Sequence, residues 1–256
     1  MTASSRKKQA QSQAKNNHTS ITEAFGADLA VLLSKKIVDV HPAFPARAFV
    51  RAAATQVVGK TYTERVEIIA DLLHRFLPQA YPDALRVLMG TLGPENKAET
   101  GMFTHFYWLI PVGKFVEKYG LDHFTLSMKA LGEITKRNTG EYAIRPYARK
   151  YPHKTLAVCQ KWARSTNFHL RRLASEGLRP KLPWATKLDT WNTNPQPIFD
   201  LLDILKEDDV KFVQKSVANH IRDWTKVNPT AAKKVLDRWS RSKNAHTAWI
   251  VKRARR

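Results

Sequence analysis

Two carboxylates stand almost alone in a basic stretch of this sequence. Residues 141–182 carry 10 Lys or Arg side chains and only 2 acids, Glu141 and Glu176. A carboxylate held in a positive field can stabilise a transient cation, or orient and deprotonate a water molecule. The plainer reading is a pair of ordinary ion pairs, because Glu141 and Arg145, like Arg172 and Glu176, stand at i,i+4 spacing. Most other chemistries lack their residues. There is no GxxxxGK[ST] or GxGxxG for nucleotides, no HExxH for zinc and no GxSxG elbow. The 9 histidines are scattered without ligand spacing, so neither a metal nor a cofactor is implied. The lone cysteine, Cys159, can form no internal disulfide and no CxxC site.

Charge narrows the class of partner. The 256 residues carry 43 Lys+Arg against 22 Asp+Glu, a formal net charge of +21. That balance points to a polyanion, most often nucleic acid, against the alternative of an unremarked basic protein. The charge is concentrated. Residues 183–225 hold 5 basic and 7 acidic side chains, whereas residues 226–256 hold 10 basic and 1 acidic, Asp237. A hydrophobic content of 43% is that of a folded globular chain, long enough for one or two domains. No run of 18 apolar residues exists to span a membrane, and the polar, basic start is not a secretory signal. A reducing, cytoplasmic, nucleoid-associated setting is expected.

The elements that must position these groups read as helices. Residues 1–20 look like a disordered basic tail, and residues 21–256 like a single helical-repeat domain. Thr61-Tyr-Thr-Glu64 is a capping box that opens an apolar helical pattern. Tyr151-Pro152, Asn194-Pro195 and Asn228-Pro229 each place a proline near a helix start. No sustained period-2 alternation and no Asn-Gly or Asp-Gly turn appears, so the fold class is all-α. An internal repeat sets the architecture. Trp162-Ala-Arg-Ser-Thr-Asn-Phe-His169 and Trp239-Ser-Arg-Ser-Lys-Asn-Ala-His246 share five of eight residues, 77 positions apart. That is about two units of the ~40-residue HEAT class, so a solenoid with an intermediate unit is expected, and the copied Trp, Asn and His are read as structural.

The repeat predicts outer helices over 124–135, 154–164, 195–206 and 229–240, and inner helices over 139–150, 167–178, 209–226 and 244–256. Glu141, Glu176 and Asp223 then fall on the inner set, which would line a basic concave groove for a duplex. The candidate phosphate-binding residues are Arg145, Arg149, Arg171, Arg172, Arg179, Lys181, Arg222, Lys252 and Arg253. Trp184 follows Arg179-Pro-Lys-Leu-Pro183, where a loop would face that groove. There it would stack on a base or sugar; the alternative is a Trp that packs the turn into the core.

Three stretches also carry a family resemblance. Glu141-Tyr-Ala-Ile-Arg-Pro-Tyr147, Arg171-Arg-Leu-Ala-Ser-Glu-Gly-Leu-Arg-Pro-Lys-Leu-Pro-Trp184 and Ser216-Val-Ala-Asn-His-Ile-Arg-Asp223 resemble the AlkC group of DNA alkylation repair glycosylases. With its AlkD relatives that group has a HEAT-like solenoid, and the resemblance spans about residues 25–256. It implies a monofunctional, metal-free glycosylase of base excision repair. The substrate would be double-stranded DNA containing 3-methyladenine or, in the AlkC branch, 3-methylcytosine. The lesion would be engaged through the DNA backbone without flipping the base into a tight pocket. The resemblance further implies that Glu141 and Glu176 are active-site carboxylates, that Trp184 contacts the lesion nucleotide and that Asp223 lines the site. Arg172 would be a nearby phosphate or carboxylate partner. Some members add a C-terminal immunoglobulin-like domain that contacts DNA; this chain stops at Arg256, and the basic tails are expected to supply affinity in its place. The alternative function is a catalytically silent scaffold for bent or damaged DNA or structured RNA. The carboxylates argue against it, since acids beside phosphates repel. A protein–protein scaffold would want an apolar inner face, and a monomer is the simplest assembly.

Overall fold

The computed structural model describes residues 21–101, 103 and 105–256, and among these every regular element is a helix. The expected basic tail at residues 1–20 lies outside the described residues. The chain forms two compact units, one ending at Gly93 and including 108–115, the other comprising 94–107 and 116–256. None of the described helices is long and apolar enough to cross a membrane.

The first unit contains α1 (Ala27–Val40), α2 (Ala46–Gln56), α3 (Tyr62–Phe76) and α4 (Tyr81–Gly90). Leu29, Leu33 and Ile37 recur at i, i+4 and i+8 on α1 and are buried, as helical periodicity requires. The capping box forms as the sequence predicts: Thr61 Oγ1 accepts from Glu64 N–H, and the Glu64 carboxylate accepts from Thr61 N–H. A 3-10 turn, Tyr107–Leu109, leads into α5 (Ile110–Tyr119), with Pro111 in the first turn where its missing N–H leaves no helix bond broken.

The second unit contains α6 (Phe124–Thr135), α7 (Arg145–Lys150), α8 (Pro152–Trp162), α9 (Phe168–Glu176), α10 (Gln196–Leu205), α11 (Lys211–Val227), α12 (Pro229–Trp239) and α13 (Ala245–Ala254). Three of the expected pairs pack together, α8 with α9, α10 with α11 and α12 with α13, whereas the short α7 packs on α8 and α6 on α9. Within this unit α9 packs on α11 and α11 on α13, so the second members of successive pairs form a row. The core runs through Leu131, Ile144, Tyr147, Leu173, Leu202, Val217, Trp224 and Trp239.

One expected boundary differs. The helix predicted over 139–150 begins only at Arg145, and residues 141–144 form a turn. Pro146 explains the shift, because its ring would clash with the Tyr142 carbonyl one turn back if the helix started earlier.

The repeated octapeptide is a turn device. Asn167 Oδ1 accepts from the N–H groups of His169 and Leu170, and Asn244 Oδ1 accepts from those of His246 and Thr247. Ser165 Oγ and Ser242 Oγ accept from the N–H groups of Asn167 and Asn244, both at 3.1 Å. Trp239 Nε1 donates to Asp203 at 2.7 Å, tying α12 to α10. The middle pair lacks the motif and uses Asp208, whose carboxylate accepts from Val210 N–H at 3.0 Å and from Arg171 at 2.6 Å. Asn244→Ala, which leaves two N–H groups of α13 without a partner, is expected to lower stability by about 1 kcal/mol, read from a urea titration.

Candidate active site

Glu141 sits in the turn before α7, fixed by its neighbour. Thr139 Oγ1 accepts from Glu141 N–H at 3.3 Å and donates to Glu141 Oε2 at 2.9 Å. The i,i+4 pairing of Glu141 with Arg145 does not form, because the helix starts too late to align the two. Arg172 on α9 reaches Glu141 Oε2 instead, at 2.5 Å. The Arg172–Glu176 pair does form, but at 3.8 Å it is the longer contact.

Glu176 ends α9, and both of its oxygens are engaged. Arg179 Nη1 donates to Oε1 and Ser216 Oγ donates to Oε2, each at 2.6 Å. Arg179 then turns its Nε to Asp223 Oδ2 at 2.8 Å. Ser216, His220 and Asp223 are spaced i, i+4 and i+7, which puts all three on the face of α11 that meets α9. Gly177 lets the end of α9 approach the turn before α7: a Cβ there would lie 2.6 Å from Ile144 Cγ2. The result is a chain of alternating charge, Glu141–Arg172–Glu176–Arg179–Asp223, with each of its three carboxylates at least nine-tenths buried. Three carboxylates pair directly with two guanidinium groups, and the charges of Arg145 and Arg222 also act on Asp223.

Burial opposes the charge of both arginines, but the carboxylates outweigh it. Glu141 and Glu176 raise Arg172 above the ordinary guanidinium range, and Asp223 with Glu176 does the same for Arg179. Burial raises Asp223 from its ordinary value, and Arg179 only partly opposes that. Beneath lies a polar layer that sequence reading missed as site material. Ser216 Oγ is 3.0 Å from Ser175 Oγ, which is 3.5 Å from Nδ1 of His220. His220 is fully buried, and burial together with the Arg179 charge pushes its pKa well below the usual imidazole range. Only the helical spacing of Ser216 and His220 to Asp223 signalled their membership.

Trp184 is the outlier of the structure. It is 83% exposed, so it does not pack the turn into the core. Leu182-Pro183-Trp184-Ala185 closes as a turn, with Ala185 N–H donating to the Leu182 carbonyl at 3.2 Å. Pro183 fills the second position, and Trp184 fills the third at φ 59°, the left-handed value of a type II turn that normally takes glycine or asparagine. It is the non-glycine residue with positive φ among those described.

The cations named from the sequence fall into two groups. Arg172 and Arg179 belong to the carboxylate chain. Arg171 is bound to Asp208 at 2.6 and 3.1 Å and to the carbonyls of Ser165 and Thr166. Arg145 is 2% exposed and donates to the carbonyls of Gly177, Arg179 and Thr186; burial, then repulsion from Arg149 and Arg179, lowers it to about 10. All four are bonded to internal acceptors, as a guanidinium taken out of water requires. Lys181 and Lys252 are exposed, Arg149 is exposed but bonded to Thr186 and Lys187, and Arg222 is half-buried against Asn219. Arg253 is half-buried with its guanidinium 5.5 Å from the Trp249 ring centre, and Lys211 lies 3.6 Å from the same ring.

Comparison with known proteins places these residues in a shared region. A family model described as "DNA alkylation repair enzyme" matches residues 138–256, the range that holds Glu141, Glu176, Trp184 and Asp223. YhaZ, an uncharacterized protein of Bacillus subtilis (strain 168), is 38% identical over 196 residues, 77% of this chain and 52% of its own length. The chain thus spans about half the length of that curated relative. The alkylpurine DNA glycosylase AlkC of Pseudomonas fluorescens, solved bound to DNA containing an abasic site analog, superposes with a TM-score of 0.81 at 33% identity. That match covers 91% of this chain and 63% of the AlkC chain. AlkD2 of Streptococcus mutans matches at 22% identity and a TM-score of 0.40, over 86% of this chain and 96% of that one.

Two outcomes follow from the geometry. Trp184→Gly is expected to be about 1 kcal/mol more stable than Trp184→Ala in urea, because both remove the ring but only glycine relieves the left-handed strain. Stability is also expected to fall as pH drops below 6.5, the ordinary imidazole value, because the unfolded chain takes up a proton that folded His220 resists. The slope for this one group reaches about 1.4 kcal/mol per pH unit. Asp223, raised, contributes in the opposite sense. Denaturant titrations at pH 7.5 and about 5.5 on the wild type and His220→Asn read the difference; equal slopes would remove His220 from the account.

Proposed function

We propose that this chain is an AlkC-like, monofunctional DNA glycosylase acting on cationic alkylated bases in duplex DNA. The observation that carries the reading is the buried Glu141–Arg172–Glu176–Arg179–Asp223 chain with an exposed tryptophan on the segment that follows Arg179. A protein that only held DNA phosphates would gain nothing by concentrating acids there.

The chemistry asks for little acid. A base methylated at N3 carries a positive charge, so when the C1′–N bond breaks the electron pair goes to the base and the base leaves neutral. The charge passes to the sugar as an oxocarbenium ion. A carboxylate held beside C1′ stabilises that cation, and a carboxylate oxygen orients or deprotonates the water that attacks C1′. The structure supports a division of labour. Glu176 has both oxygens engaged, so it fixes Arg172 and Arg179 and supplies field. Glu141 and Asp223 each have one oxygen without a bond among the described residues, which suits them to face sugar and water. Trp184 supplies a π-face to the sugar cation or a neighbouring base.

Substrate grip falls to the exposed cations Lys181 and Lys252 and the half-buried Arg222 and Arg253, holding the backbone of a bent duplex on either side of the lesion. 3-Methyladenine is the first substrate to test and 3-methylcytosine the second. Glu141→Gln and Glu176→Gln are each expected to cut base release from methylated duplex about 100-fold or more while duplex affinity stays within about threefold. Full activity in both variants would contradict the carboxylate mechanism.

A further inference from the structure

The turn that presents Trp184 is built against its own preference. Its third position costs a tryptophan backbone strain, and at 83% exposure the ring recovers nothing from burial. A strained, exposed turn left to itself would relax or sample other shapes, so something outside it must hold it.

That support comes from one short segment, residues 142–149. Tyr142 Oη donates to the Pro183 carbonyl at 3.4 Å. Arg145 Nη1 donates to the carbonyls of Gly177 at 3.2 Å and Arg179 at 2.8 Å, ahead of the turn, while its Nη2 donates to Thr186 at 2.7 Å, after it. Arg149 Nη2 reaches Thr186 Oγ1 at 2.5 Å, the Thr186 carbonyl at 3.4 Å and the Lys187 carbonyl at 3.0 Å. The loop also closes on itself through Leu188 N–H to the Pro180 carbonyl at 3.0 Å. Arg145 and Arg149 are one turn apart on α7, so both guanidinium groups leave the same helix face. A planar fork of donors can span two carbonyls on opposite arms of a loop, which a lysine ammonium cannot match.

We propose that Arg145 and Arg149 are positioning residues: a two-arginine clamp that fixes Trp184 in its projecting pose before any ligand arrives. The clamp explains why a tryptophan occupies a glycine position. Ordering is done during folding, so the ring meets the duplex already aimed and no loop closure is needed. This rests on the reading of Trp184 as the residue that touches the lesion nucleotide. The competing role for these arginines is phosphate binding. Arg145 is excluded from it by burial and by donors already committed to three carbonyls. Arg149 is exposed, so it decides the matter and is also the safer residue to replace.

The test is a double-mutant cycle of Arg149→Ala and Trp184→Ala on the full chain. Readouts are single-turnover base release from methylated duplex, affinity for undamaged duplex across a salt series, and trypsin cleavage at Lys187–Leu188 in the free protein. Arg149→Ala is expected to slow base release about tenfold, and the double variant to be no slower than Trp184→Ala alone. Affinity for undamaged duplex and its salt slope stay unchanged, and cleavage after Lys187 accelerates about tenfold as the clamp opens. Losses that multiply in the double variant, with a shallower salt slope, would assign Arg149 to phosphate and overturn the clamp. If the wild type releases no base, the glycosylase reading fails, and cleavage at Lys187 alone decides the clamp: faster in Arg149→Ala sustains it, unchanged overturns it.

Discussion

Three carboxylates can be buried together in this fold because two guanidinium groups are buried with them. Most else in the second unit serves that condition. Arg172 stands midway along α9 and Arg179 just beyond its end, and their acceptors come from three different segments: the turn at 139–144, the end of α9 and the C-terminal half of α11. Each segment must therefore hold its place for the ion pairs to close. Gly177 supplies the close approach to Ile144, and Thr139 and Ser216 donate to Glu141 and Glu176. Such a network adds little net stability over an apolar core of the same volume, yet removing one partner typically costs about 3–5 kcal/mol. Its retention is therefore best understood as function.

The same condition reorders the roles of the cations. A count of charge finds a basic protein but cannot tell a free arginine from one spent on internal acceptors. Arg145, Arg171, Arg172 and Arg179 are all spent internally, whereas Lys181 and Lys252 stand in solvent. Under the proposed function, net charge would steer a duplex toward the surface, and the buried arginines would decide what happens once it is there.

Much of this was legible in the chain. The octapeptide repeat announced the helix pairs, because a Ser and an Asn at fixed spacing each satisfy a backbone N–H at a helix start. Glu141 and Glu176 stood out by charge contrast alone, and Asp223 by its place on a matching motif. The pairing was not legible. Glu141 lies four residues from Arg145, but Pro146 delays the helix, so its partner is Arg172, 31 residues on. Whether Trp184 faced solvent or core was equally open in sequence, because a turn position reveals φ only when it holds glycine or asparagine. The strain at Trp184 is a tertiary decision, enforced by α7 and invisible to local preference.

The central claim of the proposed function is that carboxylates beside the sugar, with no general acid for the leaving group, drive base loss. A duplex carrying both 3-methyladenine, which is cationic, and O6-methylguanine, which is neutral, tests it in one reaction. Free bases released by the wild-type protein would be separated by chromatography and timed. The account predicts release of the cationic base with the neutral base left in place. Release of both at similar rates would require a general acid, a role the proposed mechanism gives to no residue, and tight duplex binding with release of neither would reduce the carboxylate chain to a structural element.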